Sequence, residues 1–372
     1  MKTYSFTGGR PSPEDFPVQG LIDATARVLN RRGTDLIAYP DMNGQHDELR
    51  DIAAIRFENR EGIPVPKHNI AITAGSIMAI EELAKFLAHP GDSIITEELS
   101  YMGSLGCFRG IGLDIKGIPV HPDDGMDMDA LEDTLRSLSK RNITPKFIYT
   151  IPTYQNPTGS IMTLERKKRL LDLAGEYGVV IIEDDCYGDI HFEPPPPPPS
   201  LYKLSGMQSV AYVGSFSKII GPGLRLGYAC VPQDFEKFMQ IRLSIKVSGL
   251  SSLIVAEYLR DNLQSHIKRH CEVICNKRDV LMESLEKEIG DCASWNRPRG
   301  GLFVWLKLPE NIDKAKLELL AAQNGLVYTP GREFHYNRED INYLRLSYPH
   351  MPLDDLREGV AILAKCIRQS IQ

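Results

Sequence analysis

The chain has 372 residues, 42% of them hydrophobic and 25% charged, an ordinary make-up for a soluble globular protein with room for two domains. A formal net charge of -6 argues against nucleic acid or an anionic membrane as the main partner. Seven scattered cysteines argue against a secreted disulfide framework; with no apolar signal core and no apolar stretch of membrane-spanning length, a cytoplasmic location is expected.

In chain order, Asn69 to Thr73 reads as a strand that turns through Gly75-Ser76 into a helix with the apolar stripe Ile77, Ile80, Leu83, Ala84 and Leu87. Further strands are predicted over Ser93 to Thr96, Lys146 to Ile151, Val179 to Glu183, Val210 to Ser215 and Leu226 to Val231, with helices over Asp129 to Leu138 and Leu164 to Tyr177 between them. This alternation predicts an α/β fold with a mostly parallel central sheet. Val179 to Ile182 is apolar throughout, as suits a strand buried on both faces, and runs into Glu183-Asp184-Asp185. The six prolines Pro194 to Pro199 read as a stiff surface spacer. From Gln233 to about Ile289 the pattern is mainly helical, and strands follow around Gly300 to Leu306 and Tyr343 to Ser347, with a closing helix after Leu353. The division expected is an N-terminal arm over 1–45, a large domain over 46–250 and a smaller α+β C-terminal domain over 251–372.

The run Ser215-Phe216-Ser217-Lys218-Ile219-Ile220-Gly221-Pro222-Gly223-Leu224-Arg225 carries the most chemistry. It offers an amine between hydroxyls, a guanidinium seven residues on, and glycines that let the backbone double back. An amine able to form an imine, beside donors for a dianionic phosphate, is what a pyridoxal phosphate site requires. Two competing motifs fail: Ser215-x-x-Lys218 lacks the companion boxes of penicillin-binding proteins, and Gly221-x-Gly223-x-x-x-Gly227 is one residue too long for a dinucleotide loop. Asp184 ends a buried strand, where ligands of open α/β sheets bind, and can keep a pyridine nitrogen protonated; Tyr187 lies three residues on. Asn156, in Asn156-Pro157-Thr158-Gly159, also follows a strand and could face the phenolic oxygen of the ring. Gly75, Ser76 and Ile77 open a helix whose N–H groups and dipole favour an anion, which Ser215, Ser217 and Arg225 could help to cradle. Tyr101 could stack on the ring, and Arg345 could clamp a carboxylate with two hydrogen bonds. His266-x-x-x-His270 and Cys271-x-x-x-Cys275 share a predicted helix but match no common zinc spacing, so no metal is expected. Cys186 reads as a small packing residue.

With these motifs in order, from Gly8-Gly9-x-Pro11 through Tyr39-Pro40, Thr73-Ala74-Gly75-Ser76 and Gly300-Gly301-Leu302-Phe303 to Pro330-Gly331 and Leu344-Arg345-Leu346, the chain resembles the fold type I pyridoxal phosphate enzymes of the class I and II aminotransferase superfamily, in the branch with 2-aminoadipate and aromatic aminotransferases. The resemblance implies that Lys218 is the Schiff-base lysine, that Asp184 pairs with the pyridine nitrogen and that Tyr187 and Asn156 bond the ring oxygen. It implies that Ser76, Ser215, Ser217 and Arg225 hold the phosphate and that Arg345, with Asn156, Gly9 and Arg10, receives the substrate. It also implies that Tyr39 reaches the phosphate of a neighbouring subunit, hence a homodimer with shared sites.

Relatives usually carry a helical segment before the Gly-Gly motif, here already at Gly8-Gly9, and an apolar residue and a glutamine where Arg10 and Ile77 stand. A more open pocket is therefore expected. The leading expectation is removal of the Cα proton of an L-amino acid by Lys218 and transfer of the amino group to a 2-oxo acid in amino-acid metabolism. Elimination, replacement or cyclisation in a specialised biosynthetic pathway is the alternative. An effector-sensing regulator is a third, for which the few residues before Gly8 supply no DNA-binding segment.

Overall fold

A computed structural model describes residues 2–39, 44–231, 235–241 and 247–372. Its centre is a seven-stranded sheet in the order Ile70–Thr73, Gly227–Cys230, Val210–Ser215, Val180–Asp185, Phe147–Thr150, Ser93–Glu97, Asp114–Ile118. Gly227–Cys230 is antiparallel to both neighbours and the other pairings are parallel. Neighbouring residues on one strand feed two different cores. Ala71, Tyr149 and Ile182 face one cluster, while Ile72, Ile148 and Ile181 face the other. Burial on both faces is the physical reason these strands are almost continuously apolar. The first cluster continues through Leu302, Leu344 and Leu363 into a second, four-stranded antiparallel sheet ordered Ser294–Trp295, Phe303–Lys307, Tyr343–Ser347, Thr329–Pro330.

The expected strands and helices are present within one or two residues at most ends, and helix Gly249–Ile289 is 41 residues long. Gln233, where the helical stretch was expected to begin, and Pro40 lie outside the described residues. The long helix meets the first helix, Val18–Arg32, through Arg27 and Arg31 on Glu257, and the closing helix Leu353–Ser370 through Arg368 on the Glu288 carbonyl. It therefore serves both sheets, and position 251 lies in its first turn. The proline run is less of a spacer than its sequence suggests. Lys167 is fully buried, and its ammonium donates to the carbonyls of Pro198 and Pro199 at 3.1 and 2.9 Å; a buried charge needs such acceptors.

Among the described residues no helix is long and apolar enough to cross a membrane.

Candidate active site

The strand ends of the large sheet, the Gly8-Gly9 segment and the small sheet enclose a cavity of about 300 Å³ whose walls include Gly9, Tyr101, Asn156, Tyr187, Lys218 and Arg345. The Lys218 amine donates to the Gly9 carbonyl at 2.7 Å and lies 5.7 Å from the Tyr187 ring centroid. Burial holds this amine below its ordinary value, with Cys186 pulling the other way. A desolvated lysine without a carboxylate partner is closer to the free amine needed for condensation with an aldehyde.

Asp184 and Tyr187 follow from strand Val180–Asp185. Asp184 is 3% exposed, and burial raises its carboxyl above the ordinary range against the hydrogen bonds it accepts from Cys186 and Tyr149. The Tyr149 hydroxyl reaches one oxygen at 2.7 Å and the Cys186 thiol the other at 2.9 Å. The Asn156 amide donates to the Tyr187 hydroxyl at 3.3 Å and accepts from Arg345 Nη1 at 2.9 Å, so one side chain joins the two ends of the cavity. Burial pushes up the phenols of Tyr187 and Tyr101.

The anion cradle is built at the start of helix Ser76–Leu87. Gly75 has φ +85, and no side chain caps the helix, so its first N–H groups are open to a ligand. Arg225 bonds the Ala74 carbonyl at 2.8 Å, and its guanidinium lies 2.8 Å from where a Cβ on Gly75 would be. Only glycine leaves the cation beside that helix end. Ser215, the last residue of strand Val210–Ser215, and Ser217 just beyond it are buried, and Ser215 Oγ accepts from the Ser217 N–H at 3.1 Å. Ser76 and Ile77 are half-buried at the helix start.

Arg345 is the second buried cation. Its Nη2 donates to the Thr7 carbonyl, its carbon lies 4.2 and 4.7 Å from the Phe303 and Phe334 centroids, and its Nε has no hydrogen-bond partner among the described residues. Burial lowers it to about 10. A guanidinium desolvated without a carboxylate is suited to an incoming anion. The donor set thus fits pyridoxal phosphate: a depressed amine, a carboxylate for the pyridine nitrogen, donors for the ring oxygen and a cationic cradle for phosphate.

Two expected residues, Tyr39 and Arg10, point to solvent. Tyr39 is 75% exposed, and Arg10 is exposed with its guanidinium folded over Gly8. Conversely, Tyr149, Thr7 and Phe303 are in the site without having been assigned a role. A phenol inside the apolar run of Phe147–Thr150 was the one available signal, since a buried tyrosine hydroxyl needs a partner.

The Aminotransferase class I and II family model matches residues 10–363. Aromatic-amino-acid aminotransferase 1 of Thermococcus litoralis is 34% identical over 99% of this chain and 88% of its own length. The 2-aminoadipate transaminase of Thermus thermophilus is 33% identical over 98% of this chain and 90% of its own. The solved structure of α-aminoadipate aminotransferase from Thermus thermophilus, complexed with N-(5'-phosphopyridoxyl)-L-leucine, superposes with a TM-score of 0.90 at 32% identity, covering 99% of this chain and 92% of that one.

Proposed function

The chain belongs to the class I and II aminotransferases, pyridoxal phosphate enzymes of fold type I, and from that premise we propose how its residues divide the transfer of an amino group from an L-amino acid to a 2-oxo acid. When bound, pyridoxal phosphate supplies an aldehyde for the amine and a ring that draws electrons from the substrate Cα. Lys218 holds the cofactor, then takes the Cα proton as general base and returns it. Asp184 keeps a proton on the ring nitrogen, and Tyr149 and Cys186 fix the carboxylate that does so. Asn156 and Tyr187 serve the ring oxygen, and Tyr101 stacks on the ring. Gly75, Ser76, Ile77, Ser215, Ser217 and Arg225 hold the phosphate. Arg345 takes the α-carboxylate, with Asn156 orienting its guanidinium, Gly9 in the wall of the same cavity and the exposed Arg10 next to it in sequence.

The observation that carries this reading is the Lys218 amine and the buried Arg345 guanidinium lining one cavity, with no carboxylate bonded to either among the described residues. We also propose a homodimer in which Tyr39 enters the neighbour's phosphate site, because Tyr39 and Ile37 are 75% and 89% exposed and Val18 and Ile22 on the first helix are 59% and 54% exposed. Seven unpaired cysteines suit the cytoplasm.

The test is incubation of the loaded enzyme with a panel of L-amino acids and 2-oxoglutarate. Glutamate and the matching 2-oxo acid are expected for at least one donor. A product that retains its α-amino group would instead support elimination or ring closure, and no glutamate from any donor would overturn the proposal.

A further inference from the structure

Two histidines one turn apart on helix Gly249–Ile289 are each 1% exposed, and their rings stack 6.1 Å apart at 8°. Both face the loop that carries Lys218. His266 Nε2 donates to the Ile219 carbonyl at 2.6 Å, and His270 Nε2 donates to the Lys218 carbonyl at 2.9 Å. Their other nitrogens differ. His266 Nδ1 meets the Tyr258 hydroxyl at 3.1 Å, within the same helix. His270 Nδ1 meets Asp15 Oδ2 at 2.5 Å, 255 residues away in sequence.

A backbone carbonyl and a carboxylate only accept hydrogen bonds, so His270 placed between them is the donor that joins the two. Burial would raise the Asp15 carboxyl, but the hydrogen bond and charge of His270 outweigh this and hold it below its ordinary value. Among the described residues Asp15 Oδ1 is buried with no hydrogen-bond partner, so the side-chain bond that holds the carboxylate is the one to the imidazole.

Asp15 ends the segment that supplies Thr7 and Gly9 to the cavity wall. Along this segment the Thr7 carbonyl accepts from Arg345, Gly8 from Ser347 Oγ at 2.8 Å and Gly9 from Lys218 Nζ at 2.7 Å. Ser12 Oγ accepts from Lys277 at 3.0 Å. When the Lys218 amine engages cofactor or substrate it must release Gly9. Among the described residues, the segment then keeps its hydrogen-bonded link to the lysine loop through Asp15 and His270, beside the apolar packing of Phe16 on Gly221.

We infer that Asp15 and His270 are positioning residues for amino-group transfer, a charged bridge that ties the Thr7–Pro17 strap to the backbone of Lys218 so that the strap stays seated while the amine works. The inference rests on the assignment of Lys218 made above.

The test compares wild type with Asp15→Ala, His270→Leu, Asp15→Asn and His266→Gln, all loaded with pyridoxal phosphate, by amide hydrogen exchange with mass spectrometry and by steady-state kinetics. Asp15→Ala and His270→Leu should speed exchange over residues 7–17 by about tenfold or more, the scale of one buried charge-assisted hydrogen bond. The same variants should raise KM for the amino donor about fivefold or more while kcat changes less. Asp15→Asn should restore most of both, because its amide can donate to an unprotonated Nδ1 while Nε2 still meets Lys218. His266→Gln, at a residue with no hydrogen bond to the strap among the described residues, should leave strap exchange at the wild-type rate. If His270→Leu does not fold, Asp15→Ala carries the comparison.

Wild-type exchange and KM in loaded Asp15→Ala would overturn the inference. So would strap loosening by His266→Gln as large as that by Asp15→Ala. A wild-type protein that takes up no pyridoxal phosphate would overturn the functional reading instead, which separates the two failures.

Discussion

Arg345 shows what a single side chain contributes to this pocket. A guanidinium removed from water beside Phe303 and Phe334 gains no ion pair among the described residues, and in the function proposed above the substrate carboxylate supplies the missing charge. Arg345→Gln should therefore raise KM for the amino donor by about 100-fold, with a smaller effect on kcat, as expected for loss of a bidentate charge-assisted contact. Steady-state kinetics with one good donor checks this, and an unchanged KM contradicts it. Glu183, next to Asp184 in the strand, has a different task. It accepts the Leu201 and Tyr202 N–H groups at 2.9 Å each, and burial pushes its carboxyl from 4.5 up to about 7, with Lys167 pulling it back. Because the folded state holds a proton there that the unfolded chain has lost, this residue's contribution to stability falls as pH rises from about 4.5 to 7. Glu183→Gln does not titrate, so the variant should gain on wild type between pH 5 and pH 8 by up to about 3 kcal/mol. Thermal unfolding at the two pH values measures that difference, and a constant difference contradicts it.

At the scale of elements, the cofactor cradle depends on how strand Ile70–Thr73 enters helix Ser76–Leu87. Gly75→Ala puts a methyl group 2.8 Å from the Arg225 guanidinium and forces an L side chain to φ +85. Affinity for pyridoxal phosphate should drop at least about tenfold, on top of a backbone cost of about 1 kcal/mol. Titration of the apoenzyme followed by absorbance reads the affinity, and wild-type affinity would contradict the cradle. The elements that build the site were legible because their side chains are buried on both faces or punctuated by glycine, as at Val180–Asp185 and Gly75. The edge strand Asp114–Ile118 was not legible, since its residues are largely exposed or half-buried and Lys116 and Gly117 interrupt any apolar run. Nor were the roles of the Thr7 and Gly9 carbonyls, because backbone acceptors leave no trace in residue type. His270 was visible as a motif, but its partner Asp15 lies across the fold, and spacing along one helix could not find it.

Across the whole molecule, two sheets share one continuous apolar cluster, and the cavity sits where the Gly8-Gly9 segment, the large-sheet loops and the small sheet meet. The homodimer proposed above rests on the exposed side chains of Ile22, Ile37 and Tyr39. Sedimentation should report a species of two chains, and Ile22→Asp together with Ile37→Asp should shift it toward one; a wild-type monomer at micromolar concentration would contradict the dimer. All of the chemistry still converges on one amine. Soaking the purified protein in pyridoxal phosphate, reducing with borohydride and sequencing the labelled peptide by mass spectrometry tests this most directly. The account predicts a stable adduct on Lys218 and none in Lys218→Ala, whereas an unlabelled protein, or an adduct on another lysine alone, would contradict it.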